Sequence, residues 1–196
     1  MIAPRPGADV DQRELVERAK RGDHDAFATL TVDAIARLDA AARLILRDPE
    51  LARDGVQDGY IRAWRTLPAL RDPDRFDAWL RRLVVHACID IMRRRRHRAI
   101  EVELTPIDAP TAVDFTSVIA DRDLIAEALR HLDPEWRAVV VMHFFLGMPL
   151  PEVAGLLGIP LGTAKSRLHR SILAMRSAVG ADEAPMASSI PGGQPA

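Results

Sequence analysis

Apolar residues recur at helical spacing along almost all of this 196-residue chain. Leu15, Val16 and Ala19 open the pattern. It breaks at Arg21, Gly22 and Asp23, then resumes at Ala26, Phe27 and Leu30. Gly22 can end the first helix and Asp23 can cap the second. That second helix runs on through Ile35, Leu38, Ala42 and Ile45 to about Arg47, where Asp48 and Pro49 mark a turn or a new start. Residues 50–67 carry a core stripe of Val56, Tyr60, Ala63, Trp64 and Leu67, with Gln57, Asp58, Ile61 and Arg65 on another face. Residues 68–77 read as a loop holding Arg71, Arg75 and Phe76. Residues 78–98 form a long helix with Leu80, Leu83, Val84, Ala87, Cys88 and Ile91 in an i, i+3, i+4, i+7 stripe.

The pattern then changes. Pro106 and Pro110 forbid a long helix in 99–121, which reads as a linker. Helices resume with Leu124, Ile125, Ala128, Leu129 and Leu132. Asp133, Pro134 and Glu135 make a strong start signal for the next, through Trp136, Val139, Val140, His143 and Phe144 to Gly147. Residues 149–177 read as two helices joined by a tight turn. Leu150, Val153, Ala154 and Leu157 face inward, Gly158 suits a left-handed helix end, and Thr163 is placed to cap the second helix. On that helix Lys165, Ser166, His169 and Arg170 share one arc, while Ala164, Leu168, Ile172 and Met175 share another. A cationic face with short donors over an apolar back suits the major groove.

Composition adds limits. Aromatics at 5% favour aliphatic helix packing over a β-sandwich. No 18-residue apolar run exists, so no membrane insertion is expected, and the first residues lack the apolar core of a signal peptide. The chain reads as cytoplasmic. One cysteine, Cys88, excludes an internal disulfide, and the six histidines show no i, i+4 pair for a metal. No phosphate loop, nucleophile elbow or carboxylate pair appears, so neither a cofactor nor an enzyme is expected.

The net charge of −1 conceals a strong asymmetry. Residues 81–98 hold seven Arg and one Asp; residues 99–121 hold five acids and no Lys or Arg. One or two cations at a helix C-terminus complement its dipole. The consecutive Arg93, Arg94, Arg95 and Arg96 exceed that need and suit a phosphate backbone.

These residues carry a resemblance. Gln57, Asp58 and Trp64, then Phe76, Trp79 and Leu80 ahead of Arg93–Arg96, then Gly162 to Arg170, resemble the bacterial sigma factors of the extracytoplasmic-function (ECF) type. The resemblance spans roughly 10–178. It implies an all-α fold of two small helical domains. A helical bundle at 11–98 would serve core polymerase and the −10 element. A four-helix domain with a helix-turn-helix at 122–179 would serve the −35 element. The flexible acidic linker 99–121 would thread the RNA-exit path, with 1–10 and 180–196 disordered. It further implies that Gln57, Asp58, Ile61 and Arg65 dock on the clamp of the largest subunit of core RNA polymerase. Arg71, Arg75, Phe76, Arg81, Arg82 and Arg93–Arg96 would recognise and melt promoter DNA at −10. Thr163, Lys165, Ser166, Arg167, His169 and Arg170 would read −35. An anti-sigma factor is an expected partner, covering the 50–67 helix and the 165–176 face.

Some positions depart from the family pattern. Ala164 stands where a β-branched residue is usual, and Ser171 where Ala is usual. Two other functions fit parts of the pattern. A stand-alone helix-turn-helix regulator would bind operators without polymerase, and a helical adaptor would carry the basic helix as a solvated face.

Overall fold

The computed structural model describes residues 11–101 and 120–182. Of the expected disordered ends 1–10 and 180–196 and the expected linker 99–121, residues 1–10, 102–119 and 183–196 lie outside the described residues, whereas 99–101, 120–121 and 180–182 are helical, as extensions of the flanking helices. Among the described residues the fold is all-α, and no helix is long and apolar enough to cross a membrane.

Helix α1 (Gln12–Lys20) is capped by Asp11, whose carboxylate accepts from the Arg13 amide; Gly22 beyond it takes a φ of 92°. Asp23 caps α2 (His24–Leu46) by accepting from Ala26, and Arg47 ends it in the left-handed region. Asp48 and Pro49 start α3 (Pro49–Thr66) rather than a free turn. Two short 3-10 turns, Leu67–Ala69 and Pro73–Arg75, fill the expected loop, and α4 spans Phe76–Glu101. In the second half come α5 (Ala120–Arg130), α6 (Pro134–Val140), α7 (Leu150–Leu157) and α8 (Leu161–Asp182). A π-helical turn, Val141–Phe145, prolongs α6. Asp133 precedes Pro134 as expected, but its side chain makes no cap hydrogen bond.

Two packing details differ from the periodicity. The side of α3 against α4 is lined by Ala52, Gly55, Gly59 and Ala63, whereas Val56, Tyr60 and Trp64 are only half-buried. Small residues allow the two backbones to approach closely. Ile35, Ile125 and Phe144, counted as apolar face positions, are exposed. Cys88 is buried on the α4 stripe as expected. Burial pushes its thiol up to about 12, so the nucleophilic thiolate is scarce at neutral pH. Alkylation of the folded chain at pH 8 should be at least a hundredfold slower than of the denatured chain; equal rates would contradict this burial.

The largest difference is between the halves. Two units joined by a linker are expected, and among the described residues they also pack on each other: α2 packs on α6 and on the π-helical turn, α4 touches α7, and one apolar core runs through both.

Candidate nucleic-acid interface

The helix-turn-helix forms as the sequence suggests, with one shift. Gly158 closes α7 at a φ of 63°, and Ile159 packs partly into the core. The next helix begins at Leu161, three residues early, so Thr163 sits inside its first turn and does not cap it. The Ala164 amide donates to the Pro160 carbonyl at 3.1 Å. Ala164 and Ser171 are fully buried, and the Ser171 hydroxyl donates to the Arg167 carbonyl at 2.8 Å. Both departures from the family pattern therefore lie on the packed side of α8. Lys165, Ser166, His169 and Arg170 are exposed together on the opposite side, the geometry a groove-reading helix requires. Arg167 is not among them: it is half-buried and pairs with Glu135 at 2.8 Å. Leu173 stands exposed at the end of the polar arc.

On α3, Gln57, Ile61 and Arg65 are exposed. The Asp58 carboxylate is held by Arg62 at 2.6 Å, and Arg62 also reaches Asp90 of α4 at 3.0 Å. The face keeps its shape because its acidic member is tied through Arg62 to the neighbouring helix.

The residues expected at −10 separate into three groups. Arg71 and Arg75 are exposed, Arg75 being 3.3 Å from Asp72; Arg94 is exposed along α4, and Arg95 beside it lies 3.8 Å from Asp48 at the start of α3. Phe76 is a correction: it is fully buried, edge-on to Phe27 at a centroid distance of 6.3 Å and tilted to Trp79 at 5.9 Å. It anchors the start of α4 and cannot stack on a base in this arrangement. Arg81, Arg82, Arg93 and Arg96 face the second half of the chain. Arg81 donates to the Leu146 carbonyl at 3.2 Å and Arg93 to the Leu157 carbonyl at 2.8 Å, while Arg82 and Arg96 pair with Glu152 and Glu135.

Sequence reasoning missed the rule behind these contacts. Arg37 donates to the Phe145 carbonyl at 2.8 Å and Arg47 to the Arg130 carbonyl at 3.0 Å. Arg137 sends Nη2 and Nε to the Ile45 carbonyl at 2.9 and 3.2 Å. Nearly every acceptor lies in the last turn of a helix, where carbonyls lack intrahelical partners and the dipole favours a cation. The halves thus cap each other's helix ends with guanidinium groups. Spacing along the chain carries no trace of such long-range pairs.

A helical protein with a helix-turn-helix, an exposed cationic reading face and a second arginine-rich helix belongs to the DNA-reading class. Residues 34–98 match the family described as Sigma-70 region 2, and residues 122–175 match Sigma-70, region 4. The chain belongs to the ECF type of RNA polymerase sigma factors. It is 34% identical to the RNA polymerase sigma-E factor of Streptomyces avermitilis, over 79% of this chain and 83% of that protein. It is 33% identical to the ECF RNA polymerase sigma factor SigM of Mycobacterium tuberculosis, over 81% and 79%. Among solved structures it resembles CnrH in complex with the cytosolic domain of CnrY, at 29% identity, with a TM-score of 0.59, covering 88% of this chain and 99% of that one. It shares its fold with RpoE of Bartonella quintana, solved with the anti-sigma factor NepR, at 20% identity and a TM-score of 0.62, covering 80% and 98%.

Proposed function

We propose that this sigma factor divides promoter recognition between its halves, acting in the cytoplasm without a catalytic step of its own. Lys165, Ser166, His169 and Arg170 read the −35 element in the major groove. Arg71, Arg75, Arg94 and Arg95 contact the −10 region, joined by Arg81, Arg82, Arg93 and Arg96 once the halves part. Gln57, Ile61 and Arg65 dock on the polymerase clamp, with Asp58 holding that face in place. The carrying observation is the exposed arc of α8 over a back held by Ala164 and Ser171. An anti-sigma factor holds the closed form; similar structures captured with such partners or with a cytosolic domain support this.

Run-off transcription with core polymerase on a genomic promoter library tests the reading. Initiation at discrete sites is expected; none anywhere sinks it. A stand-alone regulator would instead footprint promoter DNA without polymerase. Arg170→Ala should cost about 1–3 kcal/mol at promoters carrying the preferred −35 base, and little where that base is changed. An equal fall at every promoter would reduce Arg170 to a phosphate contact.

A further inference from the structure

Between the halves lies a cavity of about 800 Å³, walled by the end of α2, the arginine-rich part of α4 and the α5–α6 turn. Six arginines line it: Arg47, Arg93, Arg95, Arg96, Arg130 and Arg137. Carboxylates answer only some of them. Arg96 shares Glu135 with Arg167, Arg130 pairs with Glu127, and Asp48 is 3.8 Å from Arg95. The remaining charged or titratable groups in the wall are Asp133 and His131. Among the described residues, Arg47, Arg93 and Arg137 meet no carboxylate at ion-pair distance; their hydrogen bonds go to backbone carbonyls.

Arg137 makes the imbalance acute. It is 4% exposed, and its guanidinium spends its donors on the Ile45 and Leu132 carbonyls. A buried charge without a counter-charge is costly, and chains ordinarily pair it or discharge it. Burial, with Arg47 and Arg95 adding repulsion that Asp133 only partly offsets, lowers its proton affinity to a pKa of about 10. Arg47 is pushed down too, by burial and then by Arg130. The wall is a set of mutually repelling cations that one multivalent anion would relieve.

We infer that this cavity binds a small polyphosphate anion, of the inorganic triphosphate or nucleoside triphosphate class. Guanidinium forks match phosphate oxygens in geometry and charge. The volume suits a ligand of nucleotide size. The space is a cleft between two packed halves, with Arg93, Arg95, Arg96 and Arg130 exposed in its wall, and it has room for a small molecule. Half-buried Trp136 in the same wall offers an apolar face to a base. A ligand seated there touches α2 and α4 on one side and α5–α6 on the other, so it fastens the halves together. In the sigma-factor reading, on which this consequence alone rests, that withholds Arg93 and Arg96 from promoter DNA.

The test is calorimetric titration of the full chain, without polymerase, using inorganic triphosphate, ATP and a short single-stranded oligonucleotide in separate arms. Triphosphate or ATP should bind at one site. Arg47→Gln with Arg93→Gln should weaken binding at least tenfold. Arg95→Gln, which breaks no carbonyl contact and so leaves the fold intact, should weaken it at least threefold. Arg21→Gln with Arg176→Gln, exposed cations outside the cavity, should change it less than twofold. Tighter binding of ATP than of triphosphate would name a nucleotide and bring in Trp136; equal binding would name the phosphates alone. Absence of binding in both arms overturns the proposal, as does equal weakening by cavity and control variants. An oligonucleotide that outcompetes triphosphate at the same arginines overturns it in favour of a nucleic-acid track. Because polymerase is absent, failure here leaves promoter recognition untouched, and failure of transcription leaves this site untouched.

Discussion

Replacing Gly59 by alanine is expected to lower stability by about 2–3 kcal/mol, the upper part of the range for overpacking a tight core. A Cβ at Gly59 would stand 2.6 Å from the Val84 Cα and 2.7 Å from its Cγ2. The nearest atom is backbone, so no rotamer change relieves the clash; α3 and α4 must separate. Two neighbours calibrate the effect. At Gly55 a Cβ meets the Cys88 Sγ at 3.1 Å and the Ile91 Cδ1 at 3.3 Å, side-chain atoms that can yield, so Gly55→Ala should cost less. At Gly155 nothing lies within 4 Å, so alanine should stabilise α7 by up to about 1 kcal/mol through helix propensity. Urea denaturation of the three variants reads the order directly. A Gly59→Ala midpoint no lower than that of Gly55→Ala would mean that α3 and α4 approach each other more loosely than these distances require. The functional stake is the other side of α3, where Gln57, Ile61 and Arg65 are presented. Moving α3 away from α4 should weaken polymerase binding even though none of those three residues changes.

Helix existence, most helix boundaries and the exposed polar arc of α8 were legible in the chain, because each rests on local chemistry. Asp23 caps the start of α2, Gly158 closes the end of α7, and the arc of Lys165, Ser166, His169 and Arg170 needs only the helical period. The features that escaped have two physical sources. Periodicity weighs large apolar groups and overlooks absent side chains, so the Gly55–Gly59 contact face went unread although its i, i+4 spacing is visible. Long-range pairing is the second. Phe76 comes after two prolines and two arginines and resembles an exposed loop aromatic; its burial depends on long-range packing, with Phe27 of α2 among its partners. Arg81 and Arg93 of α4 likewise read as free for phosphate until the carbonyls of Leu146 and Leu157, about 65 positions away, accept hydrogen bonds from them.

Arg137→Met is expected to part the two halves, at a cost of about 3–5 kcal/mol, since methionine fills the stem's volume but offers no donor. Hydrogen bonds from a charged group contribute about 1.5–3 kcal/mol each, and the orphaned Ile45 and Leu132 carbonyls add their own burial penalty. Among the described residues, Arg137 is the one guanidinium that reaches from α6 into the last turn of α2 while also closing the α5–α6 turn at 3.0 Å. Helical content should persist, because each half keeps its own apolar contacts, as α3 on α4 and α6 on α8 illustrate. The radius of gyration by solution scattering should rise, and thermal unfolding should split into two transitions. The freed Arg81, Arg82, Arg93 and Arg96 should strengthen salt-dependent DNA binding by the chain alone, with a steeper dependence on salt as more phosphates are engaged. The contrary result is a single, merely lower transition with an unchanged radius. That would place Arg137 in one undivided core, and promoter engagement would then have to occur without the halves separating. The two outcomes bear on one question: whether a cation at a helix end serves here as a clasp that polymerase must undo, or as permanent structure.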